Sequence, residues 1–244
     1  MTEEEFSGGN TLFHNRDARV KIIAAVTLSL VLALNSAIPI AIAGFVGSAI
    51  MLACSKPNPS ILLKRMGMVN IFTLFLWLTL PLTYTGDSFT SIQIATLVTL
   101  KTNAILFCFL SLIATSSAVH LGYAMGQLGL PAKFTFLLLF AYRQLFIIKE
   151  EYARLQRAAQ LRGFIPRNTL HTYKTYSHLF GMTLVKSWNR ADRIHQAMIL
   201  RGFNGKLIPL QQSTLCPSDY IFLAVLLLIS LLLTILSLYY ANPV

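Results

Sequence analysis

Long apolar stretches, each closed by turn-forming residues, set the pattern of this chain. Val20 to Leu34 and Pro39 to Cys54 are two such runs, separated by Asn35 and Pro39, residue types that end helices and make turns. Together they predict a helical hairpin. Each is shorter than the ~20 residues that normally cross a bilayer, so tilt, local thinning or extension of the first helix through Arg19 has to supply the difference. A basic loop at Lys56-Pro57-Asn58-Pro59 and Lys64-Arg65 precedes a third run, Met66 to Tyr84, which a polar turn at Thr85-Gly86-Asp87-Ser88 closes. Ile92 to Ser117, interrupted by Lys101, supplies a fourth, and Tyr220 to Tyr240 is the cleanest single span. The pattern predicts an all-α, polytopic membrane protein with about five transmembrane helices.

Between Pro131 and Lys206 the pattern changes. Pro131 opens a helix whose first half, Phe134 to Ile148, is apolar and whose second half, Lys149 to Arg162, is charged. Such a helix begins at the membrane and leaves it. Gly163 and Pro166 stop it, and a second helical stretch runs from about Asn168 to Arg201, ended by Gly202 and Gly205. The expected division is a cytosolic tail over 1–19, transmembrane helices 1 to 4 over 20–118, two long cytosolic helices over 119–206, and a linker with the last span over 207–244.

Composition agrees with a bilayer as solvent. Of 244 residues, 55% are apolar and 12% charged, with a mean hydropathy of +0.62, whereas a water-soluble domain carries roughly 25% charge. Lys and Arg number 20 against 9 acids, a formal charge of +11 that suits nucleic acid, anionic lipid or an acidic protein partner. Distribution decides among these, because 13 of the 20 basic residues and only Glu150, Glu151 and Asp192 of the acids lie between Pro131 and Lys206. Arg16, Arg19 and Lys21 before the first run, with Lys56, Lys64 and Arg65 after the second, place the N-terminus inside and the C-terminus outside. The acidic start opposes a secretory signal, and the second apolar run directly after the first favours a retained hairpin.

Candidate chemistry is sparse. Cys54, Cys108 and Cys216 are far apart and read as buried packing residues, and His171 and His178 are about 10 Å apart along a helix, too far to share a metal. Gly202-Phe203-Asn204-Gly205-Lys206-Leu207 fails the phosphate-loop spacing. Asp192 and His195 lie one turn apart without a nucleophile, which reads as a solvated or locally paired face. Lys101 within an apolar run is costly unless it snorkels or meets a polar group, so a contact between helices is the main reading and an ion path the lesser one.

One feature repeats. Ala158-Ala159-Gln160-Leu161-Arg162-Gly163-Phe164 and Ala197-Met198-Ile199-Leu200-Arg201-Gly202-Phe203 match at five of seven positions with an offset of 39. Glycine at a helix end, with a cation favoured there by the dipole, explains Arg-Gly once. It demands neither alanine four residues before the arginine nor phenylalanine after the glycine in both copies. The alanine lets another backbone approach and the guanidinium offers a rigid fork to a carboxylate or carbonyl, so the pair reads as a two-pronged plug for a two-fold or pseudo-two-fold receptor.

These residues resemble the transmembrane T component of energy-coupling-factor transporters, of the cobalt/nickel type. The resemblance runs from Asp17-Ala18-Arg19-Val20-Lys21 through Leu130-Pro131, Tyr142-Arg143, Leu145-Phe146 and Glu151 to Arg190-Ala191-Asp192-Arg193 and Ala197 to Gly205. It implies that Ala158, Arg162 and Gly163, and Ala197, Arg201 and Gly202, end two coupling helices that dock into grooves of two ATPase subunits. The motif of that family is usually Ala-Arg-Gly, where this chain has Leu161 and Leu200 before the arginines. The resemblance further implies a separate membrane subunit that captures cobalt or nickel, ATP and magnesium held by the ATPase subunits, no metal or cofactor bound by this chain, no nucleic acid, and a bacterial inner membrane. The competing classes are a membrane enzyme acting on an anionic lipid and a secondary transporter acting alone. Both need acidic or polar groups that the spans scarcely hold.

Overall fold

A computed structural model describes residues 13–14, 16–35, 37–55, 59–83, 88–203 and 216–241. Among them all regular structure is helical, as α1 (Ala18–Leu34), α2 (Ile38–Ser55), α3 (Pro59–Thr83), α4 (Ser88–Leu112), α5 (Ala118–Gln127), α6 (Ala132–Leu161), α7 (Leu170–Leu200) and α8 (Pro217–Ala241). The expected loop residues Lys56 to Asn58, the turn at Thr85 to Asp87, Gly205, Lys206 and most of the N-terminal tail lie outside the described residues. Two compact units result: α1 to α4, α8 and α5 as far as Ala124, and a second beginning at Met125 that holds α6 and α7.

In the first unit, Asp17 caps α1 by accepting the Arg19 N–H at 2.9 Å, so the helix does extend through Arg19. Asn35 ends it and turns the chain by accepting the Ala37 N–H at 3.0 Å. The expected hairpin of α1 on α2 is not the main packing. Each lies instead against α4 and α8, and α4 also carries α3. Small residues make α4 the centre: Ala24 and Ala25 of α1 are fully buried with Cys108 and Leu112 of α4 and Leu226 of α8, where the absence of bulk lets backbones approach. Apolar runs that are alike on every face do not encode which neighbour they choose.

Four segments, Ile38–Ser55, Leu62–Pro81, Thr90–Leu112 and Pro217–Ser237, are long and apolar enough to cross a bilayer. The 17 residues of α1 extend about 26 Å at 1.5 Å per residue, a little short of the ~30 Å hydrocarbon core. The chain is a multi-pass, all-α membrane protein. Lys64 and Arg65 are helical rather than loop, because Pro59 suits the first turn of α3 and the apolar residues after it continue the helix. The fourth run stops at Leu112, and the polar Thr115, Ser116 and Ser117 turn the chain into α5, a helix the apolar pattern did not announce. Only Cys108 of the cysteines is buried; Cys54, in the last turn of α2, and Cys216, just before α8, are exposed at helix ends rather than in the packed middle of a span.

Polar groups join these helices. Asn103 Nδ2 donates to Asn70 Oδ1 at 3.0 Å, linking α4 to α3, and Trp77 Nε1 donates to Thr99 Oγ1 at 2.9 Å beside it. Arg16 pairs with Asp219 at 3.4 Å, bonds Ser218 and lies over the Phe222 ring. Buried Lys21 donates to Ser116 Oγ at 2.8 Å, so the start of α1 is held to the segment after α4 as well as to α8.

Candidate partner-docking site

Among the described residues, three helices stop on a glycine with positive φ: α5 at Gly129 (107°), α6 at Gly163 (82°) and α7 at Gly202 (73°). The Gly163 N–H donates to the Gln160 carbonyl at 3.0 Å and the Phe164 N–H to the Ala159 carbonyl at 3.1 Å. At the second end Gly202 donates to Ile199 at 2.9 Å and Phe203 to Met198 at 3.1 Å. These are the paired bonds of a Schellman end, which satisfies the last carbonyls and requires a left-handed residue. The phenylalanines that follow pack on the neighbouring helix: Phe164 lies edge-on to Tyr176 at 5.7 Å, and Phe203 against Phe136 at 5.0 Å. Helix termination thus accounts for the glycine, and the pairing of α6 with α7 for the phenylalanine, in both copies of the repeat.

It does not account for the arginine. The end of α5 closes in the same way, with Leu130 donating to the Met125 carbonyl at 3.2 Å, yet it has Gln127-Leu128 where the others have Leu161-Arg162 and Leu200-Arg201. Ala158, Arg162, Gly163, Ala197, Arg201 and Gly202 are all exposed. Among the described residues neither guanidinium has a hydrogen bond or ion-pair partner. Each end therefore offers a cation with no partner among the described residues, a small residue one turn behind it, and a glycine stop.

The two ends are not neighbours. Phe164, just past the first tip, touches the early turns of α7 at Tyr176, and Phe203, just past the second, touches the early turns of α6 at Phe136. The helices therefore run antiparallel, and the tips occupy opposite ends of the pair. Twenty-eight residues separate Phe136 from Phe164, which at 1.5 Å each puts the tips roughly 40 Å apart. A bar with a tip at each end replaces the fork suggested by the repeat.

Glu151 joins the two helices. It is buried, and its Oε1 accepts from Lys186 Nζ at 2.6 Å while Oε2 lies 3.5 Å from Arg190. The hydrogen bond from Lys186, with the charges of Lys186, Arg154 and Arg190, holds its carboxyl below the usual glutamate range. Beside it α6 and α7 leave a cavity of about 160 Å³ lined by Phe140, Gln144, Ile147, Ile148 and Ala191 as well as the ion cluster.

The remaining candidates resolve locally. Lys101 is partly buried and donates to the Ala33 carbonyl at 2.9 Å, one of the last carbonyls of α1 and so without an intrahelical donor. Asp192 accepts from Gln196 at 3.1 Å on its own helix. Among the described residues no group of three His, Cys, Asp or Glu side chains is placed to hold a metal ion. Sequence reasoning missed the Arg16 to Asp219 pair, whose only signal was a lone acid at the start of a span.

A polytopic helical membrane protein with one basic, antiparallel helix pair carrying matched cationic ends is the class these features define. Residues 9–214 match the family described as the cobalt transport protein CbiQ, and the chain belongs to that family. It is also 27% identical over 97 residues to the uncharacterized protein MJ1089 of Methanocaldococcus jannaschii. That match covers 40% of this chain and 36% of the relative, so the chain spans about a third of that protein.

Proposed function

We propose that this chain is the non-catalytic transmembrane scaffold of an ATP-driven energy-coupling-factor transporter that imports cobalt or nickel. Two ATPase subunits bind ATP and magnesium, a separate membrane subunit captures the metal, and this chain transmits movement between them. The N-terminus and residues 119–206 face the cytosol of a bacterial cell, with the C-terminus outside.

The observation that carries this reading is the pair of exposed Arg-Gly ends, Arg162 and Arg201, at opposite ends of the antiparallel α6 and α7. Matched ends suit matched receptors, and a receptor repeated across roughly 40 Å suits a two-fold partner better than a single small ligand. At each end the guanidinium reaches a carboxylate or carbonyl of one ATPase subunit, and Ala158 or Ala197 lets that subunit approach the helix. A helix stopped by a left-handed glycine holds the backbone of its arginine in place, so movement of the receiver, once the arginine is docked, becomes movement of the rod.

The test is charge reversal in the assembled complex. Arg162→Glu with Arg201→Glu should abolish copurification of the ATPase subunits and ATP-dependent cobalt or nickel uptake, with the chain still inserted in the membrane. Unchanged association and uptake would remove the basis for the scaffold.

A further inference from the structure

Directly before each arginine stands a leucine that helix termination does not require. Leu161 is 90% exposed and Leu200 is 88% exposed, the two most exposed large apolar side chains among the described residues. At the third helix end of the same geometry this position holds Gln127, so the motif itself is indifferent to a leucine there. Leu161 is not part of a lipid-facing stripe, because Arg154, Arg157, Gln160 and Arg162 are exposed around it. Leu200 sits in a turn with exposed Gln196 and Arg201, and the apolar Ile199 beside it is less exposed, at 60%.

We propose that Leu161 and Leu200 are the apolar anchors of the two tips, each seating in an apolar pocket of an ATPase subunit beside the carboxylate or carbonyl that receives the neighbouring arginine. This rests on the scaffold reading above and adds to it the chemistry of the receiver. An exposed cation on a flexible stem contributes little affinity by itself, since solvent screens it. A leucine moved from water into a fitted pocket contributes far more, and its loss of a three-carbon branch to alanine corresponds to roughly tenfold or more in affinity per tip. The basic stretch from Pro131 to Lys206, with 13 cations against three acids, steers an acidic receiver to the chain, and the leucines then hold it. The occurrence of the leucine at both tips, roughly 40 Å apart, requires the pocket to be present twice.

The experiment titrates the purified ATPase partner onto the full-length chain in nanodiscs. Leu161→Ala and Leu200→Ala should each weaken binding about tenfold and together on the order of a hundredfold. Leucine to methionine at both sites should stay within about threefold of the parent, while leucine to glutamine, similar in size but polar, should behave like alanine. Because both side chains are exposed, helix content and detergent stability should not change. Parent-like binding by the double alanine or double glutamine variant, with binding lost in Arg162→Glu and Arg201→Glu, overturns the anchor and leaves the scaffold standing. Parent-like binding by the arginine variants as well removes the scaffold reading itself.

Discussion

Replacing Gly163 and Gly202 tests whether the tips work because their backbone is fixed. An added Cβ at either position meets no other atom within 4 Å, so steric overlap with neighbours plays no part. The whole cost is backbone strain: at φ of 82° and 73° an alanine is unfavourable by about 1 to 2 kcal/mol. At 1.4 kcal/mol per tenfold, each substitution lowers the population of the native end roughly 5- to 30-fold relative to opened forms. Asparagine, which tolerates the left-handed region, should cost less, and valine at least as much as alanine. Hydrogen exchange at the Phe164 and Phe203 amides reads this directly, since those N–H groups close the two ends on Ala159 and Met198. Exchange should accelerate by about tenfold at the altered end only, in the order glycine, asparagine, alanine, with amides of α4 unaffected. Alanine and glycine variants exchanging at the same rate would refute the claim that glycine holds these ends in place.

Three further outcomes concern helix pairing. Glu151→Gln should broaden the distance distribution between spin labels at Arg157 and Arg193, since it removes the charge shared by Lys186 and Arg190; an unchanged distribution would mean that other contacts hold the pair. With its folded-state pKa depressed, Glu151 contributes stability that is fully present above the ordinary glutamate pKa and is lost as acid carries the group down through its lower folded value, so the parent distribution should persist at neutral pH and broaden only in strong acid. Asn103→Ala should destabilise the packing of α3 on α4 by roughly 0.6 to 1.7 kcal/mol in detergent unfolding, the range for a hydrogen bond between membrane helices. Unaltered unfolding would show that the bond to Asn70 is replaced by another.

Much of the helix count was legible because an apolar run of bilayer length has few alternatives. Pro131 and the glycines at 163 and 202 marked the ends of α6 and α7 closely, since their backbone chemistry is local. Pairing was not legible. Val20 to Leu34 is apolar apart from Lys21, Thr27 and Ser29, and no apolar stripe in its residue order favours α4 and α8 over the adjacent α2. The antiparallel placement of the tips depends on Phe136 meeting Phe203 and Phe164 meeting Tyr176, contacts between positions more than ten residues apart that periodicity does not encode. The repeat drew attention to Arg162 and Arg201, but only the fold separates what capping and pairing use, the glycine and the phenylalanine, from what they leave over.

The place where α6 and α7 are pinned has a mechanical consequence. Glu151 grips Lys186 and Arg190 part-way along both helices, with empty volume alongside, so the contact acts as a pivot once the ring contacts at the two ends, Phe136 on Phe203 and Phe164 on Tyr176, slide or part. From Glu151 to Arg162 is eleven residues, and from Arg190 to Arg201 eleven on the other side, giving lever arms of roughly 17 Å each. A scissoring of about 10° would swing each extremity by about 3 Å, and nearly equal arms would share that swing evenly between the two.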